Sequence, residues 1–249
     1  MIFQIRVSNT KSSEIRKSDI LYEDNHIIAV YKKGGDIVQP DKTGDLAMED
    51  SVKLFLKRQY NKPGNVFLGV THRIDRPVTG IVLFAKTSKA LARLNQMFQQ
   101  KQIQKTYLVI SRGRPEVPSG NLVHYLVRDT KKNKSFLHKM EVKGSAKCEL
   151  SYSTEAVSDS FSLIRVLPQT GRHHQIRVQM AAIGCPIVGD VKYGDRRANE
   201  DRSICLHAFG IAFEHPVTGE PVKIHAPLPN HKFWQIFKDK SETLVHSLA

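Results

Sequence analysis

Two stretches in the first half of the chain place apolar residues at the three- and four-residue spacing of an amphipathic helix. The first predicts a helix over residues 46–60, capped by Asp45 and ended by the run Asn61-Lys62-Pro63-Gly64. The second predicts a helix that starts after Thr87 or Ser88, either of which can cap it. Its apolar stripe is typical of packing against a core and consists of Leu91, Leu94, Met97 and Phe98.

Two more helices are predicted in the second half of the chain. Residues 172–183 favour a helix, because Gly184 and Pro186 follow as stop signals. A terminal helix is predicted over residues 231–240, with Asn230 as its cap. The side chains that this helix is expected to bury are Phe233, Trp234 and Phe237.

Strands are predicted where short apolar or alternating runs lie between turn residues. One strand each is expected over residues 21–30, 67–70, 81–85, 107–110 and 204–213. The run 81–85 is apolar throughout, which predicts a buried strand. His207, in the last run, is expected to be a structural histidine with satisfied hydrogen bonds. The runs 149–154 and 161–167 alternate and predict paired strands.

No internal repeat, low-complexity tract or linker divides these elements. Residues 1–18 are polar and irregular, so they are predicted to be an irregular N-terminal segment. Residues 19–249 are predicted to form a single domain, because the chain of 249 residues is long enough to bury a core.

Charge distinguishes this chain from an ordinary globular protein. It has 38 Lys and Arg against 24 Asp and Glu, which gives a net charge of +14. A surface with this excess favours a polyanion, and nucleic acid is the first candidate. An anionic membrane is the alternative, but no apolar run approaches the roughly 20 residues that span a bilayer. We therefore predict a nucleic-acid partner and no membrane.

The cysteines and the start of the chain indicate a reducing compartment. Cys148, Cys185 and Cys205 are odd in number, far apart and without C-x-x-C spacing, which predicts neither a disulfide framework nor a zinc site. They are expected to be small buried side chains. The first seven residues lack the long apolar stretch of a secretory signal. A cytoplasmic location is therefore predicted.

One carboxylate has unusual neighbours. In the stretch His72-Arg73-Ile74-Asp75-Arg76-Pro77-Val78-Thr79-Gly80, Asp75 lies beside two arginines, among turn-forming residues between two apolar runs. Opposite charges lower the pKa of an aspartate, which then stays ionised and available as a nucleophile or base at neutral pH. On charge pattern alone, such a stretch is more often a surface turn with an ordinary ion pair.

Residues 128–147 form a cationic segment that contains seven Lys or Arg and two acids. Phe136, Leu137 and Met140 interrupt the charges. The pattern is typical of a solvated charged hairpin. It is also typical of a hairpin that grips RNA, because clustered cations with occasional apolar side chains bind phosphates and unstacked bases. Both interpretations stay open.

Several segments, taken in order, resemble the RluA-type family of RNA pseudouridine synthases. The matching segments are Tyr22-Glu23-Asp24-Asn25 before Ile27-Ile28-Ala29-Val30, the aspartate stretch with its following strand, Lys105-Thr106-Tyr107, and Thr170-Gly171-Arg172-His173-His174-Gln175-Ile176-Arg177. A fifth runs from Gly184 through Gly189-Asp190 to Tyr193-Gly194. The chain departs from the family at Lys33, where a proline is usual, and at His173, where a small hydroxyl residue is common.

The resemblance implies an α+β fold with a mixed, mainly antiparallel central sheet, bisected by a catalytic cleft, and helices packed outside. It implies an isomerase that turns a uridine base and joins C5 to C1′ in place of N1. This reaction needs no cofactor and no metal, and the sequence has neither a P-loop nor a dinucleotide-binding motif. Too few residues precede Tyr22 for the S4-like module of many members, so the core is expected to bind the RNA.

The resemblance also implies roles for four residues. Asp75 corresponds to the catalytic aspartate, and Arg177 to the arginine that pairs with it. Tyr107 corresponds to the tyrosine that packs against the target base. Arg73 corresponds to the arginine that enters the base stack when the uridine is flipped out. Whether Asp75 attacks C1′, adds to the base or removes a sugar proton is left open.

The implied substrate is a uridine in structured RNA, with ribosomal and transfer RNA both open, and the protein is expected to be a monomer. A noncatalytic RNA-binding or ribosome-assembly protein on the same fold is the first alternative, although Asp75, Tyr107 and Arg177 together argue against it. A metal-dependent nuclease using His72, His173 and His174 is the second. The adjacent histidines should point about 100° apart on a helix, so they are not expected to share a metal.

Overall fold

A computed structural model describes residues 14–240 of the chain. Residues 1–13 of the segment that is predicted to be irregular lie outside this range, and Lys17–Asp19 form one turn of 3-10 helix. The helices are α1 (Met48–Gln59), α2 (Ser88–Gln99), α3 (Gln175–Ala182) and α4 (Lys232–Gln235). The strands are β1 (Ile20–Glu23), β2 (Ile27–Lys32), β3 (Gly69–Val70), β4 (Thr79–Ala85), β5 (Gln104–Arg112), β6 (Ser119–Asp129), β7 (Lys134–His138), β8 (Ala146–Val157), β9 (Phe161–Pro168), β10 (Leu206–Glu214) and β11 (Pro221–His225).

The eleven strands form one sheet. Nine follow the order β1-β2-β4-β10-β5-β9-β8-β6-β7, while β3 pairs with β4 and β11 with β10. Among the strand pairs of residues 14–240, only β4 with β10 is parallel, and the others are antiparallel. The predicted α+β fold with a mixed, mainly antiparallel sheet is thus confirmed. Among the helices of residues 14–240, none is long and apolar enough to span a bilayer.

Helices cover both faces of the sheet at its β2 and β4 end. Val30 of β2 lies in one buried cluster with Leu56 of α1. Ala29 lies in a second buried cluster with Leu94 of α2. Because successive side chains of a strand point to opposite faces, the two helices lie on opposite faces. The buried strand predicted over residues 81–85 is confirmed as part of β4, which is buried at every position.

The single strand predicted over residues 21–30 is wrong, because the chain reverses at Asp24. The Asp24 carboxylate accepts hydrogen bonds from the main-chain N–H groups of His26 and Ile27, at 2.6 and 2.8 Å. Such a side-chain turn lets β1 and β2 pair as an antiparallel hairpin. The strand predicted over residues 67–70 is shortened to the two residues of β3.

Two predicted helix caps are wrong and one is confirmed. The N-cap of α1 is Ala47, because the carboxylate of Asp45 binds Arg76 instead. The helix α4 starts after His231 without a side-chain cap, so Asn230 does not cap it. Thr87 caps α2 by accepting a hydrogen bond from the N–H of Ala90. The predicted burial under the terminal helix is confirmed for Trp234 and Phe237, with Phe233 partly buried.

The remaining strand predictions are largely confirmed. Strands β8 and β9 pair antiparallel, and β5 contains the run predicted for it, whereas β10 starts at Leu206, two residues after the predicted start. The three cysteines are free and buried, as expected. His207 is fully buried, and its Nδ1 lies 2.8 Å from Thr79 Oγ1. Its Nε2 has no hydrogen-bond partner in the described part of the chain, so the prediction of a satisfied histidine holds for one nitrogen.

Gly80 lets the start of β4 lie close to β10. The two strands pair at Gly80 and Ala208, and Gly80 has a φ of +116°. A Cβ at this position would lie 2.2 Å from the Ala208 carbonyl oxygen. A side chain is therefore excluded, and the loop that carries Asp75 enters β4 directly beside β10.

Candidate active site

Three parts of the fold meet at one pocket. They are the loop before β4, the strand β5, and the turn that leads into α3. Leu206 of β10 and Pro168 at the end of β9 also line the pocket. The polar and aromatic side chains that line the pocket are Arg73, Asp75, Lys105, Tyr107, Thr170, Arg172, His174, Gln175 and Arg177. All four residues singled out in the sequence therefore lie together.

The Asp75 carboxylate is held on one of its oxygens. Asp75 Oδ2 lies 3.1 Å from Arg177 Nη1 and 3.6 Å from His174 Nε2. Oδ1 accepts no hydrogen bond from any residue between 14 and 240. The side chain is 28% exposed, which leaves the carboxylate accessible from the pocket.

Arg177 is fixed from behind by a second carboxylate, Asp190. Arg177 Nε and Nη2 lie 2.6 and 2.8 Å from the two oxygens of Asp190, and both residues are buried. Burial lowers the pKa of Arg177, but the hydrogen bonds and negative charges of Asp190 and Asp75 outweigh it and raise the pKa overall. The role of Asp190 was not predicted, although Gly189-Asp190 stands in the fifth matching segment.

The two arginines that lie near Asp75 in the sequence have different surroundings in the structure. Arg76 forms an ion pair with Asp45, and within residues 14–240 no ion pair joins it to Asp75. Arg73 is exposed and lines the pocket. Within residues 14–240, the cation that binds Asp75 directly is Arg177, which is 102 positions away in the sequence.

A buried lysine holds the loop that carries Asp75. Lys32, at the end of β2, is 0% exposed and its Nζ donates to the carbonyl oxygens of Lys33, Arg76 and Val78, at 3.0, 2.9 and 2.8 Å. Burial lowers the pKa of Lys32 to about 7. Three carbonyl acceptors match the three donors of an ammonium group and oppose that shift. Sequence reasoning assigned no role to Lys32.

Tyr107 and Lys105 face the pocket from the same side of β5, because they are two residues apart on a strand. Burial raises the pKa of the Tyr107 hydroxyl above its ordinary value of 10.0, and the charge of Asp75 raises it further. The phenol therefore stays protonated at neutral pH. Burial lowers the pKa of Lys105. Within residues 14–240 the ammonium group of Lys105 has no hydrogen-bond or ion-pair partner, so it is available to a ligand.

The three histidines of the two motifs contact other parts of the fold. His72 Nε2 accepts a hydrogen bond from the N–H of Leu83 at 3.0 Å, and burial lowers its pKa to about 3. The described ranges contain no cluster of three or more His, Cys, Asp or Glu that could hold a metal ion.

The expected 100° separation of His173 and His174 is wrong. The helix α3 starts only at Gln175, and His174 before it has a left-handed backbone with φ of 56°. The two rings consequently stack, with centroids 3.7 Å apart and an interplanar angle of 22°. His173 turns to the β6–β7 hairpin (residues 119–138), where its Nδ1 lies 2.9 Å from Ser135 Oγ.

Comparison with known proteins places the chain in a family. A family model described as RNA pseudouridylate synthase matches residues 26–182. The ribosomal large subunit pseudouridine synthase C of Pasteurella multocida is 32% identical over 224 residues, covering 88% of this chain and 66% of that protein. The protein of the same name from Haemophilus ducreyi is 32% identical over 232 residues, covering 90% and 70%. The chain thus spans about two thirds of the length of these curated relatives.

A solved structure shows the same fold. Human RNA Pseudouridylate Synthase Domain Containing 4 superposes with a TM-score of 0.73 at 21% identity, covering 90% of this chain and 92% of that one. The region matched by the family model includes Asp75, Tyr107 and Arg177. The chain belongs to the RNA pseudouridylate synthase family, and its resemblance to the RluA-type members is confirmed.

Proposed function

We propose that this protein is an RNA pseudouridine synthase, an isomerase that converts uridines of structured RNA to pseudouridine with Asp75 as the catalytic residue. The observation that carries the proposal is the Asp75 carboxylate, held through Oδ2 by Arg177 at the edge of a pocket that also contains Tyr107. The reaction rearranges one nucleotide without redox chemistry. It requires a positioned carboxylate and a platform for the base.

Arg177 gives that carboxylate a fixed position. Its Nε and Nη2 edge is occupied by Asp190, so only Nη1 is directed to Asp75. A guanidinium that is already bound on one edge does not have to be ordered during the reaction, which is how preorganised sites lower a barrier. Asp75 Oδ1 is left as the oxygen that can approach the nucleotide.

Tyr107 and Arg73 supply binding groups for a flipped base. The phenol ring of Tyr107 is half-buried in the pocket and offers an aromatic face, on which a base can stack. Arg73 is exposed at the same pocket, in a position from which it can fill the space that the base leaves. With Lys105 and Arg172 nearby, the pocket carries an excess of positive charge suited to phosphates.

The cationic segment supplies a second RNA-binding surface in this proposal. Lys131 and Lys132 are exposed at the tip of the β6–β7 hairpin. Phe136 is 39% exposed, and the Nζ atoms of Lys132 and Lys134 lie 5.9 and 5.8 Å from its ring centroid. An exposed aromatic ring among lysines suits an unstacked base between phosphates. These features favour the RNA-gripping interpretation over the solvated one.

The relatives guide the choice of substrate and setting. Their names assign them to the ribosomal large subunit, so ribosomal RNA of the large subunit is the proposed substrate class. The proposal includes one catalytic domain from residue 19 onward, supported by the continuous sheet. It also includes a monomer that works in the cytoplasm, where the three buried thiols would stay reduced.

Pseudouridine mapping tests the proposal. Ribosomal and transfer RNA from cells that lack the protein is compared with RNA from cells complemented with wild type or with Asp75→Asn. We expect at least one pseudouridine of large-subunit RNA to be absent without the protein and to be restored by wild type only. An unchanged map contradicts the activity. Restoration by Asp75→Asn contradicts the catalytic role and favours the noncatalytic assembly protein.

A further inference from the structure

Tyr193 joins the β6–β7 hairpin to the active site through its hydroxyl group. The oxygen lies 2.8 Å from His174 Nδ1, accepts a hydrogen bond from Ser135 N–H at 2.8 Å, and lies 3.3 Å from the Ser135 carbonyl oxygen. All three residues are buried. Because a phenol carries a single proton, it can donate to only one of the two remaining partners.

The choice of partner decides the tautomer of His174. If Tyr193 donates to His174 Nδ1, that nitrogen is bare and the proton of the imidazole is on Nε2. If it donates to the Ser135 carbonyl, His174 must donate from Nδ1, and Nε2 is bare. The contact to His174 is 2.8 Å and that to the carbonyl is 3.3 Å, so the geometry favours the first arrangement.

The surroundings of Nε2 favour the same arrangement. Nε2 faces Asp75 Oδ2 at 3.6 Å, where a bare lone pair would be repelled by the carboxylate and an N–H would be attracted. Burial lowers the pKa of His174 to about 2, and the positive charge of Arg177 lowers it further, so the ring is neutral. The 3.6 Å separation is longer than a hydrogen bond, and contacts of this kind often shorten only when substrate binds.

We propose that Tyr193 fixes His174 as the neutral Nε2–H tautomer, and that this N–H and Arg177 together position Asp75 through Oδ2, which makes Oδ1 the reacting oxygen. The inference rests on the proposed function. His174 acts through Asp75 and is a positioning residue. A neutral donor suits this task, because it orients the carboxylate without adding a second full positive charge beside Arg177.

The tautomer is tested without RNA. In the full chain labelled with ¹⁵N at histidine, the two ring nitrogens of His174 have shifts that distinguish a protonated from a bare nitrogen. We expect a bare Nδ1 and a protonated Nε2 in wild type. In Tyr193→Phe, which removes the donor, we expect the Nδ1–H form to become populated. A protonated Nδ1 in wild type overturns the proposal.

Turnover tests the positioning role. A glutamine amide nitrogen reaches the place of Nε2, whereas that of asparagine reaches only the place of Nδ1. We expect His174→Gln to keep most of the wild-type kcat and His174→Asn to lose roughly 10- to 100-fold, as replaced orienting groups do. KM for the RNA should stay unchanged in both. Equal kcat values for the two variants overturn the role.

A matched control and the wild-type enzyme distinguish a failure of the positioning role of His174 from a failure of the proposed function. His225 on β11 lies outside the pocket lining, so His225→Gln and His225→Asn should both turn over like wild type. If wild type makes no pseudouridine in any RNA offered, the proposed function fails while the ¹⁵N result still decides the tautomer. If the His174 variants do not fold, the spectrum of wild type and the turnover of Tyr193→Phe decide, with unchanged kcat in the latter counting against the proposal.

Discussion

Asp190 binds Arg177 through two nitrogen–oxygen contacts, of 2.6 and 2.8 Å, and thereby sets the direction of the one nitrogen that reaches Asp75. Both members of this pair are buried. Breaking a buried ion pair leaves the other charge without compensation, which is far more costly than breaking a pair in solvent. Asp190 therefore affects both the stability of the fold and the position of the carboxylate in the pocket.

Asp190→Asn should lower both the free energy of unfolding and the turnover of the folded protein. Loss of the charge leaves Arg177 partly uncompensated, with an expected cost of roughly 3 kcal/mol. Denaturant unfolding and kcat of the same preparation measure the two effects. Asp24→Asn is the control, because Asp24 holds the β1–β2 turn and lies outside the pocket lining. It should lose stability and keep kcat, and an unchanged kcat in Asp190→Asn would contradict the role of Asp190.

Asp75→Asn should abolish pseudouridine formation while RNA binding survives. The amide keeps the shape of the side chain but cannot act as nucleophile or base. Binding should hold or tighten, because a negative charge near the RNA is removed. Product is measured by mass spectrometry, with RNA affinity and thermal unfolding of the same sample as controls for folding. Wild-type product yield from the folded variant would refute the assignment.

Tyr107→Ala and Tyr107→Phe should separate stacking from proton chemistry. Alanine removes the aromatic face, which is worth roughly 1 to 3 kcal/mol per stacked base, so both binding and turnover should fall. Phenylalanine keeps the face and removes only the protonated hydroxyl, so binding should stay and turnover should fall. Affinity and single-turnover rates measure the two effects. Near-normal turnover in both variants would remove Tyr107 from the site.

Lys131→Gln combined with Lys132→Gln should weaken RNA binding and flatten its salt dependence. For every phosphate that the variant no longer neutralises, the slope of log affinity against log salt should fall by roughly 0.7 on single strands or 0.9 on duplex. The control pair is Lys89→Gln with Lys223→Gln, on α2 and β11 and outside both the hairpin and the pocket lining. If the slope of log affinity against log salt equals that of the control pair, the cationic segment is a solvated hairpin that does not bind RNA.

Lys32→Met should change the pH dependence of stability. The pKa of Lys32 is 10.5 in the unfolded chain and is lowered to about 7 by burial. Between pH 7 and 10.5 the unfolded state of wild type binds more protons than the folded state. The free energy of unfolding of wild type should therefore rise with pH, by up to about 1.4 kcal/mol per pH unit relative to the variant. Urea unfolding from pH 7 to 10 measures the difference. If the difference in unfolding free energy between wild type and Lys32→Met does not change with pH, the three carbonyls keep Lys32 protonated. The control is Lys89→Met, at an exposed position, for which the same difference should not change with pH.

The sequence by itself determined the family, the two long amphipathic helices, the buried strand and four of the residues that meet at the pocket. Asp75, Tyr107 and Arg177 could be found because each stands in a short motif, and motifs are local in sequence. The alternation of apolar and polar residues along β8 and β9 and the apolar stripe of α2 are also local features. The spacing of apolar residues alone predicts which face of such an element is buried. The excess of positive charge pointed to a polyanion without any structure.

Only the tertiary structure decided which polar partner each side chain takes. Asp45 could have capped a helix but binds Arg76, and Arg177 takes Asp190 as well as Asp75. Lys32 meets the carbonyl of Val78 across 46 positions. A hydrogen-bonding group chooses among partners by distance and burial, and folding sets both by bringing together residues that are remote in sequence. The helical pattern around His174 likewise could not reveal its left-handed backbone, which places the imidazole beside Asp75.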